Sequence, residues 1–462
     1  MTETTQDQET TASQLASRVH GSVLTSANDG YDQDSTGFQL LEPHEPAVVV
    51  EAADEQDVRA AVEFAASRGM PVAVQATGHG RSSAMHGGVL INTRRMCGVD
   101  VDPQTATAWV EAGASWQHVI DAATVQGLAP LSGSLPGVGA VSYTLGGGIG
   151  LLARRYGFAA DHVHHLDVVT PDGRLRRVTA SDEPDLFWAL RGGGGNFGVV
   201  TGMEIALMPV ARLYGGCLFV DLAEVPEVLH AWREWTASVP DEMTSAVSVI
   251  PFPDLPMVPE LMRGRHVAQV QISYAGPAEQ GQKLVEPLRA LGPVLQDTLR
   301  ELPYSQSGAV FDEPDQPSGY RGTSLLLDDL DPQELTTLVH QVGPSASNSC
   351  VVGLRHLGGA LAQPPQTLNA LGHRDANYSL GMLSLTETSE LDSVTALHDQ
   401  LLAGFAPHAL GRSLNFTFGP LDHQQVRTAF EPADYQRLAQ LKTEHDPHGL
   451  LQANHPIPPT TD

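Results

Sequence analysis

Three stretches of this chain concentrate glycine where main-chain groups could do chemistry: Thr77-Gly78-His79-Gly80, the run SGSLPGVGAVSYTLGGGIG from Ser132 to Gly150, and RGGGGNFGVV from Arg191 to Val200. Glycine accepts positive φ and lets backbone N–H groups come close to an anion. Each stretch borders an apolar run that reads as a strand, and a diphosphate is the guest that several amides can hold without a lysine. The dinucleotide fingerprint G-x-G-x-x-G fails at its third glycine, because Gly137-Val138-Gly139 continues into Ala140, Val141 and Ser142. No G-K-[ST] is present, which excludes a P-loop.

The elements that must carry these loops follow from periodicity. Residues 47–52 (AVVVEA) read as a buried strand, and DEQDVRAAVEFAASRG as a helix with Val58, Ala61, Val62, Phe64 and Ala65 on one face and Gly69 as its stop. PVAVQA is the next strand, so this β-α-β order predicts parallel pairing. GGVLINT and TATAWVEAGA read as strands, SWQHVIDAATVQG as a helix, and Pro171-Asp172-Gly173 as a hairpin turn. Beyond Met208-Pro209 the composition shifts to longer helical segments such as LAEVPEVLHAWREWTASV and strands such as HVAQVQISYAG. The expected organisation is a disordered tail at 1–13, a glycine-rich domain at 14–208, a domain of sheet plus helices at 209–410, and a segment at 411–462 that returns to the first domain.

A chain of 462 residues is long enough for two domains. Lys+Arg 26 against Asp+Glu 54 gives a net charge of −28, which disfavours nucleic acid and anionic membranes as partners. Cys97, Cys217 and Cys350 are far apart and lack C-x-x-C spacing, so neither a disulfide framework nor a zinc site is expected. The polar, acidic first residues do not read as a signal peptide, and no run nears the ~18 apolar residues of a membrane span, so a cytoplasmic protein is expected. In Asp161-His162-Val163-His164-His165 the alternation places His162 and His164 on one face of a strand. His445-Asp446-Pro447-His448 reads as a solvated helix end.

The segments TGHG at 77–80, PGVGAVSYTLGGGIGLLARRYGFAADH at 136–162, PDLFWALRGGGGNFGVVTGMEIAL at 184–207 and the tail ANHPIPP together resemble the berberine-bridge-enzyme-like FAD-linked oxidases. These belong to the p-cresol methylhydroxylase/vanillyl-alcohol oxidase superfamily, and the likeness is greatest to its bacterial 6-hydroxy-D-nicotine oxidase-type branch. It is strong over the first domain and the terminus and loose over the middle. The resemblance implies an α+β, two-domain vanillyl-alcohol-oxidase-type flavoprotein with FAD bonded to His79. A neutral imidazole nitrogen is a competent nucleophile for that attachment. The family's R-x-G-G-H loop is Gln75-Ala76-Thr77-Gly78-His79 here, so Arg81 is expected to replace the missing cation, with His86 as the alternative attachment point. Leu135 stands where relatives carry a second, cysteine tether, so a monocovalent FAD is expected. The resemblance further implies that Thr77, Gly78, Gly80, Arg81 and Ser82 line the diphosphate, and that Gly137, Gly139, Gly146, Gly147, Gly148 and Gly150 pass near ribose and ring. Val200 falls on the adenine side and Asn454 at the isoalloxazine edge. The run 161–165 matches a family segment leading into a strand, so no metal is expected there.

Two-electron oxidation by a flavin moves a hydride to the cofactor while an O–H or N–H proton leaves. Where relatives place phenols, this chain has Ser413 and Phe416 in SLNFTFG. The catalytic candidates are therefore Tyr143, Arg355, His373 and Tyr378, with His356 and Tyr156 beside them. The expected activity is oxidation of a small alcohol, amine or activated C–H compound with O2 as acceptor, in natural-product tailoring. The alternatives are a sugar oxidase, for which Trp232, Trp235, Tyr274, Tyr304 and Tyr320 could form a platform, and a dehydrogenase with another acceptor. The oligomeric state stays open.

Overall fold

The computed structural model describes residues 12–460 apart from 345, 347 and 348, and builds them around three sheets. Most of the disordered tail expected at 1–13 lies outside the described residues, but Ala12 and Ser13 do not fit it. Both belong to a helical turn that seats Leu15 in the core, where burial of an apolar side chain offsets the cost of ordering the chain.

The first sheet has four strands in the order Ser22–Leu24, Val48–Glu51, Val89–Asn92, Val72–Gln75. Helix Glu55–Arg68 starts where the Asp54 carboxylate accepts from the N–H groups of Gln56 and Asp57, and ends at Gly69 with φ 62. The two strands flanking that helix do not pair with each other, as the β-α-β order suggested. Val89–Asn92 lies between them and pairs in parallel with both, Val89 opposite Val48 on one side and Val72 on the other. This strand is buried along its whole length, and only a central position hides both of its faces. The C-terminal tail completes the edge, with Val72 N–H donating to Leu450 O and Gln452 N–H to Val72 O.

A five-stranded antiparallel sheet follows, in the order Val99–Asp102, Thr107–Glu111, Val199–Ala206, Val163–Val169, Leu175–Val178. The turn at Pro171-Asp172-Gly173 joins its last two strands, with Gly173 at φ 76.

Beyond residue 210 the chain forms a nine-stranded sheet whose central strands are His266–Tyr274, Met243–Pro251, Val351–His356, Tyr378–Leu385 and Tyr320–Leu327. Helices Val228–Thr236, Ala278–Arg289, Pro332–Gln341 and Leu391–Phe405 cover one face, packing Trp232, Val285, Leu338 and Phe405 onto Val247, Val270, Leu354 and Leu380. The opposite face, with Thr244, Gln271, Ser273 and Arg355, turns toward the glycine loops. The mixture of helices and sheets is the α+β architecture expected. Among the described residues no helix is long and apolar enough to cross a membrane.

Four buried histidines bear on stability. Burial lowers His44, His398 and His455 to about 4, and burial with the Arg154 charge lowers His356 to about 3, against an ordinary 6.5. The unfolded chain therefore binds more protons between these values, and stability falls as the pH drops from 6.5 toward 4. The loss approaches roughly 1.4 kcal/mol per histidine per pH unit. Urea midpoints at pH 7 and pH 5 should differ clearly, and equal midpoints would contradict neutral burial.

Candidate active site

The site begins where strand Val72–Gln75 ends. Gly78 has φ +75, and a Cβ there would lie 2.7 Å from the Gly37 Cα and 2.9 Å from the Phe38 nitrogen, so only glycine lets segment 37–39 pack this closely. Phe38 N–H donates to Thr77 O (3.0 Å) and Gln39 N–H to Gly78 O (3.2 Å). These bonds place the Phe38 ring on the His79 imidazole, with centroids 3.8 Å apart and planes 17° from parallel. His79 Nδ1 is hydrogen-bonded to Thr77 Oγ1 at 2.8 Å, while Nε2 is buried without a partner. Burial lowers its pKa to about 4, so the ring is neutral near pH 7.

The loop is held from two sides. Gly80 N–H donates to the Tyr320 hydroxyl at 2.9 Å. From the tail, Asn454 Oδ1 accepts from Ser82 N–H at 2.6 Å, Asn454 Nδ2 donates to Gly80 O at 2.8 Å, and His455 Nε2 meets Ser82 Oγ at 3.1 Å. Asn454 therefore spends its amide clamping the loop, instead of reaching out to a ring edge. The Arg81 role also changes. Its buried guanidinium donates to the carbonyls of Thr36, Gln39 and Leu41, so it is a brace inside the protein and no free cation for a diphosphate.

Gly137 brings the second loop beside His79, its Cβ position lying 3.9 Å from the imidazole Cε1. Gly139 precedes the short helix Ala140–Leu145, after which Gly146, Gly147 and Gly148 leave no room for side chains. A Cβ on Gly146 would run into the Asn415 amide, whose Nδ2 donates to Tyr143 O at 2.8 Å. One on Gly150 would strike Ser132 O. Gly148, at φ +80, lies against the Tyr143 ring. Gly148→Ala combines a strained φ with that collision and should cost roughly 1–3 kcal/mol and lower the flavin content of purified protein. Wild-type stability and flavin-to-protein absorbance ratio would count against this packing. Val200 is buried within strand Val199–Ala206.

Across the cleft, Ile149 and Gly150 face Thr244, Gln271, Ser273, Phe311 and Arg355 of the nine-stranded sheet. Arg355 lies over the rings of Phe311 (4.7 Å) and Phe416 (4.8 Å). The Tyr143 ring is half-buried, but its hydroxyl is fully enclosed and has no partner. Burial pushes this phenol well above its usual range, against a smaller opposing effect of the Arg355 charge.

Of the four catalytic candidates, this cleft brings Tyr143 and Arg355 together. The other two lie elsewhere. His373 has φ 53, and its ring is hydrogen-bonded to Thr428 O (3.0 Å) and paired with Glu431 (3.3 Å). Tyr378 points to the helix-covered face, where its hydroxyl meets Thr236 Oγ1 at 2.8 Å. His356, paired across the sheet with Tyr378, borders the cleft and is bonded through Nε2 to Arg154. Tyr156 is half-buried and offers its carbonyl to His162 Nε2 at 2.7 Å. His86 is exposed beside Glu45, outside the loop that holds His79.

Other expectations change as well. His162 ends a 3-10 turn, Ala159–His162, so it does not share a strand face with His164, which pairs with Glu204. The five aromatics considered as a sugar platform are all buried. The helix end at His445–His448 is solvated at Pro447 and His448, but Asp446 within it is fully buried and paired with Lys442. Leu135 is half-buried, Cys217 and Cys350 are buried, and Cys97 is exposed. Sequence reasoning missed Phe38, Thr244, Ser273 and Asn415, and offered Tyr320 only as part of a sugar platform. For Ser273 a signal existed, since polar residues alternate at Gln269, Gln271 and Ser273 in one strand.

His79 thus presents an unpartnered, buried imidazole nitrogen, and Gly137 of the second loop lies beside it. A family model described as an FAD binding domain matches residues 46–179. The FAD-linked oxidoreductase YgaK of Bacillus subtilis is 25% identical, covering 96% of this chain and 98% of that protein. The (R)-6-hydroxynicotine oxidase of Paenarthrobacter nicotinovorans is also 25% identical, covering 96% and 97%. The fold is similar to that of glucooligosaccharide oxidase from Acremonium strictum, which carries a 6-S-cysteinyl, 8α-N1-histidyl FAD, with a TM-score of 0.84 at 18% identity over 98% of this chain and 100% of the other. The chain therefore carries an FAD binding domain, has the fold of the vanillyl-alcohol oxidase/p-cresol methylhydroxylase flavoproteins and is an FAD-linked oxidoreductase.

Proposed function

We propose that this protein is an oxidase that holds FAD by one covalent bond to His79, takes two electrons from a small organic substrate and passes them to O2. The observation that carries this reading is the neutral, stacked His79 ring with an unpartnered nitrogen at the mouth of the glycine cradle. FAD, when bound, supplies the two-electron acceptor. The Phe38 ring and Thr77 hydroxyl fix the imidazole plane, and the Tyr320 and Asn454 contacts hold the loop that presents it. Leu135 supplies no thiol, which supports a single tether.

The cleft residues favour some substrates over others. Burial keeps Tyr143 protonated, so its partnerless hydroxyl is a hydrogen-bond donor available to a ligand and does not abstract a proton. His356, at about 3, is a poor proton acceptor. An alcohol must surrender its O–H proton as hydride leaves, whereas a neutral amine pushes hydride out with its own lone pair. The cleft therefore suits an amine or an activated C–H better than a plain alcohol, and the likeness to (R)-6-hydroxynicotine oxidase supports this. The likeness to a glucooligosaccharide oxidase supports the sugar alternative, but the buried aromatics leave it without a platform. We place the enzyme in the cytoplasm and in natural-product tailoring.

The test is anaerobic reduction followed by rapid mixing with air-saturated buffer. Reoxidation within seconds, with one peroxide formed per flavin, is the expected result. Slow reoxidation in air combined with fast reoxidation by an artificial dye would make the protein a dehydrogenase.

A further inference from the structure

The cleft between Gly150 and the nine-stranded sheet holds hydrogen-bond donors that the protein leaves unused. Thr244 Oγ1, Ser273 Oγ and the Tyr143 hydroxyl are each buried without a partner. Arg355 is little better served. Its guanidinium makes one long hydrogen bond, to Ser134 Oγ at 3.4 Å, and its nearest carboxylate oxygen, on Glu313 at the rim, is 3.9 Å away. A buried polar group left unpaired costs about 1–3 kcal/mol, and folded proteins rarely tolerate several in one place. Gln271, which also lines the cleft, is already hydrogen-bonded to Ser248 Oγ at 2.9 Å. What the remaining groups lack is a shared acceptor.

We infer that this cleft is a carboxylate subsite, in which Arg355 grips both oxygens of an acid group carried by the substrate while the Thr244 and Ser273 hydroxyls take the remaining lone pairs. The inference rests on the reading of the protein as an oxidase of small organic molecules and names the class of molecule: an organic acid with its oxidisable centre next to, or a few atoms from, its carboxylate. The chemistry of the fork supports this. A guanidinium offers parallel N–H groups that match two coplanar oxygens, and the rings of Phe311 and Phe416 over it leave its N–H edge as the approach for a ligand. A phosphate can use the same fork and is told apart from a carboxylate by the probes below, and a neutral amide offers one acceptor and no charge. The acidic surface does not oppose the assignment, because charges beyond about 10 Å are screened at ordinary ionic strength.

The probes are acetate, benzoate, inorganic phosphate and benzamide, titrated into flavin-loaded protein and followed by calorimetry and by the visible flavin spectrum. Benzoate or acetate should bind at least tenfold more tightly than benzamide or phosphate. Arg355→Gln should weaken carboxylate binding at least tenfold with flavin content unchanged, and Arg355→Lys should fall between. Thr244→Val and Ser273→Ala should each weaken it several-fold, and they carry the test if the Arg355 variants fold poorly. Equal binding of acid and amide, phosphate binding as tight as benzoate, or no carboxylate binding would overturn the subsite. Loss of flavin from well-folded Arg355→Gln would assign the arginine to the cofactor instead, and would also overturn it. The oxidase reading fails separately: protein that captures benzoate through Arg355 yet does not reoxidise in air keeps the subsite and loses the oxidase.

Discussion

His79→Ala should give protein whose yellow colour passes into the supernatant on acid precipitation, whereas the wild type should keep its flavin in the pellet and fluoresce as a band on a denaturing gel. The expected change is from full to no covalent flavin, because one imidazole is the proposed tether and Leu135 offers no thiol as a second. The loop should survive the substitution. Its shape depends on Gly78, on the Phe38 and Gln39 N–H bonds, and on the Asn454 clamp, none of which uses the imidazole. The variant should therefore still bind FAD reversibly. Flavin retained after denaturation would move the tether elsewhere, with exposed His86 and the cysteines next in line.

Asp446→Ala should lower stability by about 3–5 kcal/mol, the usual cost of removing one partner from a buried ion pair. Asp446 Oδ2 is 2.6 Å from Lys442 Nζ, and the two carboxylate oxygens also accept from Leu450 N–H (2.7 Å) and Leu451 N–H (2.9 Å). The ammonium, nearly as buried, donates also to Asn196 O at 2.8 Å. Alanine strands that charge and frees two amides in the segment that pairs with Val72. The double variant Lys442→Met/Asp446→Leu removes both charges and should recover part of the loss. Urea denaturation reads both variants. A double variant no better than Asp446→Ala would show that the carboxylate matters chiefly as a cap for the tail.

Local chemistry was the part legible from residues alone. Positive φ is a property of single positions, so the glycine loops announced themselves, and helix Glu55–Arg68 was bounded by its own cap and stop. The roles of Asp446, Arg81 and Asn454 depend on contacts with residues distant in the chain, and no window of sequence contains those partners. The polar face of the large sheet misled for another reason. Alternation at Gln269, Gln271 and Ser273 ordinarily marks a strand side turned to solvent, but here the glycine loops cover it. Burial turned a bland pattern into a candidate binding surface. Parallel pairing was read correctly in kind but assigned to the wrong neighbours, since sequence order does not say which later strand will insert between two earlier ones.

The clamp on the His79 loop also sets a schedule. Asn454 lies 372 residues after Ser82, which it holds, and a ribosome adding about 5–20 residues per second needs roughly 20–70 s to cover that distance. Throughout that interval the attachment loop exists without its fastener. A nascent chain can fold its first strands early, but it cannot clamp the His79 loop until Asn454 has been translated. Fastening of the His79 loop thus waits for residue 454, and a chain interrupted before it would lack the Asn454 clamp.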